Sequence, residues 1–331
     1  MTRCVYIASS EWQVSKSAVA LGVLELFARQ VRSVGFFRPL VQSLQEDGIT
    51  TALLATDTLR HQSLEDSIGV SYEDWANDPD AAIDTIVAKY SALEERFEAI
   101  VIVGSDFDDL TYGTELDHNA LIAANLNAPV LYVCRASERS VDEVCRMAEE
   151  AIEAFEARHN TVVAVIATRA EPEISEELSS ALREVRDVPV SVLSANPVLD
   201  APSVGQHFEA VDATLWRGKP ESLNREALTT IIAGMSLPNL LPRLQKEATV
   251  IVPADRLDLL PALIMAHRSA TYGPLASLLL TGGFEIPETV ATLLSDSEVD
   301  LPIGMTNDDT FPTAVALREV SGVATSSPRK V

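Results

Sequence analysis

Along the first two-thirds of the chain, short apolar and β-branched runs alternate with stretches of helical periodicity. The runs are Cys4-Val5-Tyr6-Ile7-Ala8, Val34-Gly35-Phe36-Phe37, Ala99-Ile100-Val101-Ile102-Val103, Pro129-Val130-Leu131-Tyr132-Val133, Val162-Val163-Ala164-Val165-Ile166 and Val190-Ser191-Val192-Leu193. They are too continuous to leave one face in water, so they predict strands buried on both faces. Between them, Asp80 to Phe97 places Ile83, Ile86, Val87, Tyr90, Leu93 and Phe97 on one stripe behind an Asp78-Pro79 start. A second helix is predicted from Val141 to Arg158 behind a Ser140/Glu143 capping box. Strand–helix–strand repetition with right-handed crossovers makes a parallel α/β sheet.

The pattern breaks near Asn196-Pro197 and resumes after Trp216-Arg217-Gly218-Lys219-Pro220, which sets a boundary around 205–222. Beyond it the periodicity predicts a helix from Asn224 to Met235, a strand Ala248–Val252 and a helix Leu257–His267. A strand Ala276–Leu280, a helix Pro287–Leu294, a short strand Leu301–Met305 and a helix Phe311–Val320 complete the series. The expected organisation is a parallel-sheet domain over 1–215 and a smaller α/β domain over 216–331.

Composition narrows the function classes. Of 331 residues, 47% are hydrophobic, enough for a buried core, and 25 Lys+Arg against 49 Asp+Glu give a net charge of −24. So acidic a surface repels phosphate backbones, which argues against nucleic acid as a partner, and its first role is solubility. The opening Met1-Thr2-Arg3-Cys4 lacks the basic segment and long apolar stretch of a secretory signal, and no run resembles a membrane span. Cys4, Cys134 and Cys145 form no CxxC pair, which suits a reducing compartment, and the expected location is the cytoplasm. His61, His118, His159, His207 and His267 show no metal spacing, and there is no GxSxG elbow, so no catalytic or metal-binding residue is assigned.

The first strand-to-helix turn, Ser9-Ser10-Glu11-Trp12-Gln13-Val14-Ser15-Lys16-Ser17, carries the most chemistry. A P-loop wraps phosphate with backbone N–H groups at a helix N-terminus, reaches the outer phosphates with Lys, and holds Mg²⁺ with Ser or Thr. Lys16 and Ser17 stand in place, but serine occupies both glycine positions: Ser15, and either Ser10 or, in a loop one residue longer, Ser9. A side chain in the left-handed backbone of that turn costs about 1 kcal/mol or more and crowds the phosphate. The plain structural alternative is a helix N-capped by Ser15. Trp12 is a candidate plug for the phosphate pocket.

Read together, Tyr6-Ile7-Ala8-Ser9 with Lys16-Ser17, Gly35-Phe36-Phe37-Arg38-Pro39, Gly104-Ser105-Asp106, Ala124 to Val130, and Asn196-Pro197 through Ala201-Pro202 resemble the N-terminal part of the long-form phosphate acetyltransferases. That part joins a dethiobiotin-synthetase-like P-loop domain to a DRTGG domain, whose letters stand here as Asp255-Arg256 and Thr281-Gly282-Gly283, with Met235-Ser236-Leu237-Pro238-Asn239 and Asp309-Thr310 around them. The resemblance implies a degraded nucleotide site. Val103 stands where such domains place a Mg²⁺-binding acid, and Thr168-Arg169 stands where an Asn-Arg pair would contact the base. A neutral aliphatic cannot ligate a hard cation. Asp106, Asp108 and Asp109 are the acids that could replace it. No cofactor is therefore assigned, with nucleotide and Mg²⁺ as the minor alternative.

In the second domain, Asp255-Arg256 and Thr281-Gly282-Gly283 both follow strand carboxyl ends, where open α/β sheets bind ligands. Arg256 could fork an anion and the glycines admit close approach; a structural turn serves as well. In the family resembled, acetyl transfer between coenzyme A and phosphate belongs to a separate downstream domain. The expectation is therefore a regulatory and oligomerising part, sensing a metabolite effector, not catalytic by itself, whether a fragment or a stand-alone relative. Leu237, Leu240 and Leu241 are candidates for a surface covered by another subunit. The competing reading is an ATP- and Mg²⁺-dependent synthetase resembling dethiobiotin synthetase, working through Lys16 and Ser17. A ligand-free scaffold is the third.

Overall fold

A computed structural model of the chain describes residues 3–11, 15–45, 47–105, 112–295, 300–320, 322 and 329–330. Trp12, the candidate plug, and Asp106, Asp108 and Asp109, the candidate replacement acids, lie outside the described residues. The chain divides into two compact units, residues 1–196 and 197–331.

In the first unit seven strands form one parallel sheet: β1 (Arg3–Ala8), β2 (Val34–Val41), β3 (Ile68–Ser71), β4 (Ala99–Val103), β5 (Val130–Arg135), β6 (Val162–Ala170) and β7 (Val190–Ser194). Their order is β3-β2-β4-β1-β5-β6-β7, so β1 lies between β4 and β5 at the centre. Apolar side chains alternate between the two faces. Tyr6, Phe37, Ile100, Ile102 and Tyr132 join one core with the helices Pro79–Glu94, Tyr112–Asn125 and Val141–Ala157. The helix Lys16–Ala28 packs against β1, β2 and β4 and buries Val19, Leu21 and Leu24. Both predicted helix starts form: Asp78 accepts the Ala81 N–H with Pro79 at the first helical position, and the Ser140/Glu143 capping box closes.

The second unit has five strands, β8 (Thr214–Arg217), β9 (Thr229–Ile232), β10 (Ala248–Pro253), β11 (Ser277–Thr281) and β12 (Ile303–Met305), in the order β8-β12-β11-β10-β9. Among the described strands of this unit, β8 alone runs antiparallel, against β12. The division at Asn196–Pro197 falls upstream of the expected 215/216 boundary. The physical reason is packing: Val204, Phe208 and Val211 share a core with Ile251, Ala276 and Leu279 of the second sheet.

One predicted element is replaced. The segment expected as a helix from Asn224 to Met235 contains β9 instead, because Thr229-Thr230-Ile231-Ile232 is a β-branched run whose restricted χ1 angles favour extended backbone, and it pairs with β10. The surface leucines also need correction. Leu240 is buried and Leu237 packs on the core of its own unit, so these residues do not call for cover by a second subunit.

Candidate functional site

The site follows from register. Ile7 of β1 pairs with Val103 of β4 and Ala8 pairs with Tyr132 of β5, so the loops leaving these strands start side by side at the sheet's carboxyl edge. Gly104 N donates to Ile7 O at 2.9 Å, extending the ladder one step beyond β4. A Cβ at Gly104 would collide with Asn119 Oδ1 and stand 2.8 Å from Tyr6 Cε1. Those two side chains are themselves joined, Tyr6 donating to Asn119 Oδ1 at 2.8 Å, so only glycine lets β4 pass over the bond. Burial, the nearby Glu115 carboxylate adding to it, pushes the Tyr6 hydroxyl's pKa far above its usual range and keeps it a donor.

Lys16 opens the helix after the loop, and its side chain is 2% exposed. Its ammonium donates to the carbonyl of Gly104 at 3.0 Å and of Ser105 at 2.8 Å. The Gly104 carbonyl also accepts from Arg38 at 3.0 Å, and Arg38 Nε pairs with Asp47 at 3.1 Å. The Asp47 carboxylate in turn caps the helix Gly48–Leu54 through Thr50 N at 2.8 Å. The Ser105 carbonyl takes a further bond from Asn119 Nδ2 at 3.2 Å, while its buried hydroxyl meets no partner among the described residues.

Ser15 has φ 59° and ψ 32°, the left-handed conformation that a P-loop normally gives to glycine, and it makes no side-chain cap bond. The N-cap alternative therefore fails. Its hydroxyl accepts from Arg169 Nε at 3.1 Å, and Arg169 is itself left-handed at φ 56°. The Ser9 hydroxyl donates to Glu11 O at 2.8 Å, and the Ser10 hydroxyl lies 2.6 Å from the Tyr132 hydroxyl. Glu11 is staked to the neighbouring β5 loop: both oxygens take the Arg139 fork at 2.7 Å, and one also accepts Arg135 N at 3.1 Å. The same bond raises the pKa of Arg139.

Of the residues singled out from sequence, Ser15, Lys16 and Arg169 come together at this edge. Thr168 turns inward, its hydroxyl donating to Cys134 O at 3.1 Å, and Val103 is fully buried in the sheet. Sequence reasoning did not assign a role to Arg38, Asn119 or the Glu11–Arg139 pair. Arg38 had a legible signal, a cation inside an otherwise apolar strand. Among the described residues no group of three or more His, Cys, Asp or Glu is arranged to hold a metal ion.

At the carboxyl edge of the second sheet, Gly282 and Gly283 adopt φ 90° and 64° and donate to Asp308 O at 2.8 Å and Thr306 O at 3.2 Å. The Thr281 and Thr310 hydroxyls meet at 2.8 Å, and together these bonds stitch the β11 loop to the β12 loop. Arg256 forks its neighbour Asp258, both bonds 2.9 Å, while Asp255 stands exposed after β10.

An AAA domain family model matches residues 3–203, and a DRTGG domain model matches residues 208–320. The chain belongs to this AAA domain family. It is 29% identical to the phosphate acetyltransferase of Nitratidesulfovibrio vulgaris, covering 100% of this chain and 49% of that enzyme. It is 25% identical to the phosphate acetyltransferase of Synechocystis, covering 96% and 47%. The chain thus spans about half the length of the curated relatives it matches, as the N-terminal region of a long-form enzyme would. Among solved structures, it is similar to a Cyanothece McdA–ATP complex at 15% identity and TM-score 0.40, covering 58% of this chain and 82% of that one. It is also similar to the MinC:MinD cell division complex of Aquifex aeolicus at 13% identity and TM-score 0.41, covering 60% and 84%. No helix among the described residues is long and apolar enough to cross a membrane.

Proposed function

We propose that this chain is a regulatory, assembling part of a cytoplasmic phosphate acetyltransferase, whose parent reaction is acetyl-CoA + phosphate = acetyl phosphate + CoA, and that it performs no catalysis by itself. One observation carries the reading: the Lys16 ammonium is buried and held by two backbone carbonyls of the chain, where a phosphate-binding lysine would meet oxygens of its ligand. Two features support it. Ser15 puts a side chain, tied to Arg169, into the left-handed position of the loop, and Val103 puts an isopropyl group where Mg²⁺ would need a carboxylate. The described residues therefore do not fit a nucleotide–Mg²⁺ pair, and no step is routed through one.

The role left to a module with this frame is to sense a metabolite and set the assembly of its enzyme, with the DRTGG edge as the second candidate ligand surface. Calorimetry with ATP and ADP, with and without Mg²⁺, and with acetyl-CoA, coenzyme A, phosphate and acetyl phosphate tests it, alongside an ATPase assay. The expected outcome is binding heat from a member of the metabolite set and ATP hydrolysis no faster than in buffer. Hydrolysis above buffer that disappears in Lys16→Ala would overturn the reading in favour of a synthetase resembling dethiobiotin synthetase.

A further inference from the structure

At the amino edge of the first sheet, opposite the edge that holds Lys16, a cavity of about 210 Å³ lies where β2 and β4 begin. Val31, Leu59 and Phe97 give it an apolar wall, and Arg32, Ser33 and His61 give it polar groups. No acid lines it, although 49 of the 331 residues are Asp or Glu. Its walls are preformed. The Phe97 ring lies against bare β2 backbone, since a Cβ at Gly35 would stand 2.6 Å from it, and Arg96 stands over the ring 5.4 Å from its centroid. Gln62, another lining residue, clamps Phe36 of β2 by both main-chain groups, accepting its N–H at 2.9 Å and donating to its carbonyl at 2.6 Å. The main-chain N–H of Arg32 donates to Glu98 Oε2 at 3.1 Å, but among the described residues its guanidinium meets no carboxylate. Arg60 Nε donates to His61 Nε2 at 3.2 Å, so the imidazole carries its proton on Nδ1 and has that N–H to donate.

We propose that this cavity binds a small organic carboxylate, with Arg32 and His61 on the carboxylate and Val31, Leu59 and Phe97 around an apolar body of a few carbons. A concave, largely apolar space with a few convergent donors suits such a ligand, and the guanidinium fork matches the two oxygens of a carboxylate. Charge and size select the class. One guanidinium balances one negative charge, whereas a phosphate ester brings about −1.5 to −2 at neutral pH. That larger charge would also be repelled by Glu98 and by Glu25, which accepts from the hydroxyl of the lining residue Thr58 at 3.1 Å. A volume of about 210 Å³ is the space of roughly seven water molecules, too small for a nucleotide or coenzyme A. A larger cavity of about 440 Å³, where β5 and β6 begin, has no spare cation, because its Arg158 pairs with Asp117 at 3.2 Å. The inference deepens the sensing role proposed above and rests on that reading for its purpose, while the binding itself stands on the cavity.

Saturation-transfer NMR titrations of the whole chain with benzoate and 4-methylpentanoate test it, with benzamide as the uncharged isostere, inorganic phosphate as a competitor without an apolar body, and circular dichroism melts confirming that each variant is folded. At least one carboxylate is expected to bind saturably, benzamide about tenfold more weakly or worse, and phosphate is expected not to displace the carboxylate. Arg32→Gln is expected to weaken carboxylate binding about tenfold or more. Ala28→Phe, which puts a ring into the lining, is expected to abolish it, and Arg158→Gln in the other cavity to leave it unchanged. Silence from both carboxylates, benzamide binding as tightly, displacement by phosphate, binding that survives Arg32→Gln or Ala28→Phe, or binding lost in Arg158→Gln would overturn the inference. A chain that binds these carboxylates and also hydrolyses ATP through Lys16 would sink the proposed function and leave this site standing, so the two failures are told apart.

Discussion

Lowering the pH should weaken the second unit through a single buried histidine. His207 on the helix Val204–Glu209 is 2% exposed, and its Nδ1 lies 3.1 Å from Thr249 Oγ1, which lies 2.8 Å from Ser277 Oγ. Burial lowers its pKa from 6.5 to about 4, because the charged ring would lose its hydration with no carboxylate beside it to compensate. The unfolded chain takes up a proton near pH 6.5 and the folded chain does not until about 4, so the unfolded state binds more protons across that window and stability falls as pH falls. Integrating between those two values, the loss from pH 7 to pH 5 is about 2 kcal/mol, approaching about 3 kcal/mol near pH 4. Carboxylates titrate over part of the same range, so the assay is a difference. Urea denaturation of the parent and of His207→Gln at pH 7 and pH 5 should show the parent losing about 2 kcal/mol more than the variant. Equal losses would refute the reasoning, since they would mean that His207 is protonated as readily folded as unfolded.

Asp47→Ala removes the carboxylate beside the 2%-exposed Arg38 and the cap of the helix Gly48–Leu54, and should destabilise the first unit by about 3–5 kcal/mol in urea titrations. A loss below about 1 kcal/mol would contradict the buried pair. Glu11→Ala should cost about 2 kcal/mol by the same measurement, and adding Arg139→Ala should cost little more, because the two share one bidentate bond. Gly282→Ala should lower the melting temperature without any ligand present, by an amount equivalent to about 1–2 kcal/mol, because φ is 90° and the new Cβ would stand 2.8 Å from the Phe284 ring. An unchanged melt would assign the glycine to ligand contact rather than to the turn.

How far the fold could be read depended on where each signal lay in the chain. The strands β1, β4 and β5 announced themselves as continuous apolar runs, since both their faces are covered and no polar alternation interrupts them. β9 did not, because an edge strand only four residues long offers too short a pattern to distinguish from a helix start. The Ser140 capping box and the Asp78-Pro79 start were legible because both signals are local. The Arg38–Asp47 pair was missed although its members are only nine residues apart, since nothing in the sequence says that a loop acid folds back onto the strand.

Residue types alone decided that the loop before Lys16 carries serine in place of glycine and that Val103 is not an acid, and those facts hold whatever the fold. They also decided the left-handed strain at Ser15 once a tight turn was required, because a Cβ makes that conformation costly. Only the tertiary structure decided what the lysine touches. The carbonyls of Gly104 and Ser105 lie 88 and 89 positions along the chain from Lys16 and reach it because β4 and β1 are neighbours in the sheet. Sheet order is a property of how the whole chain packs its apolar faces, and no local pattern contains it.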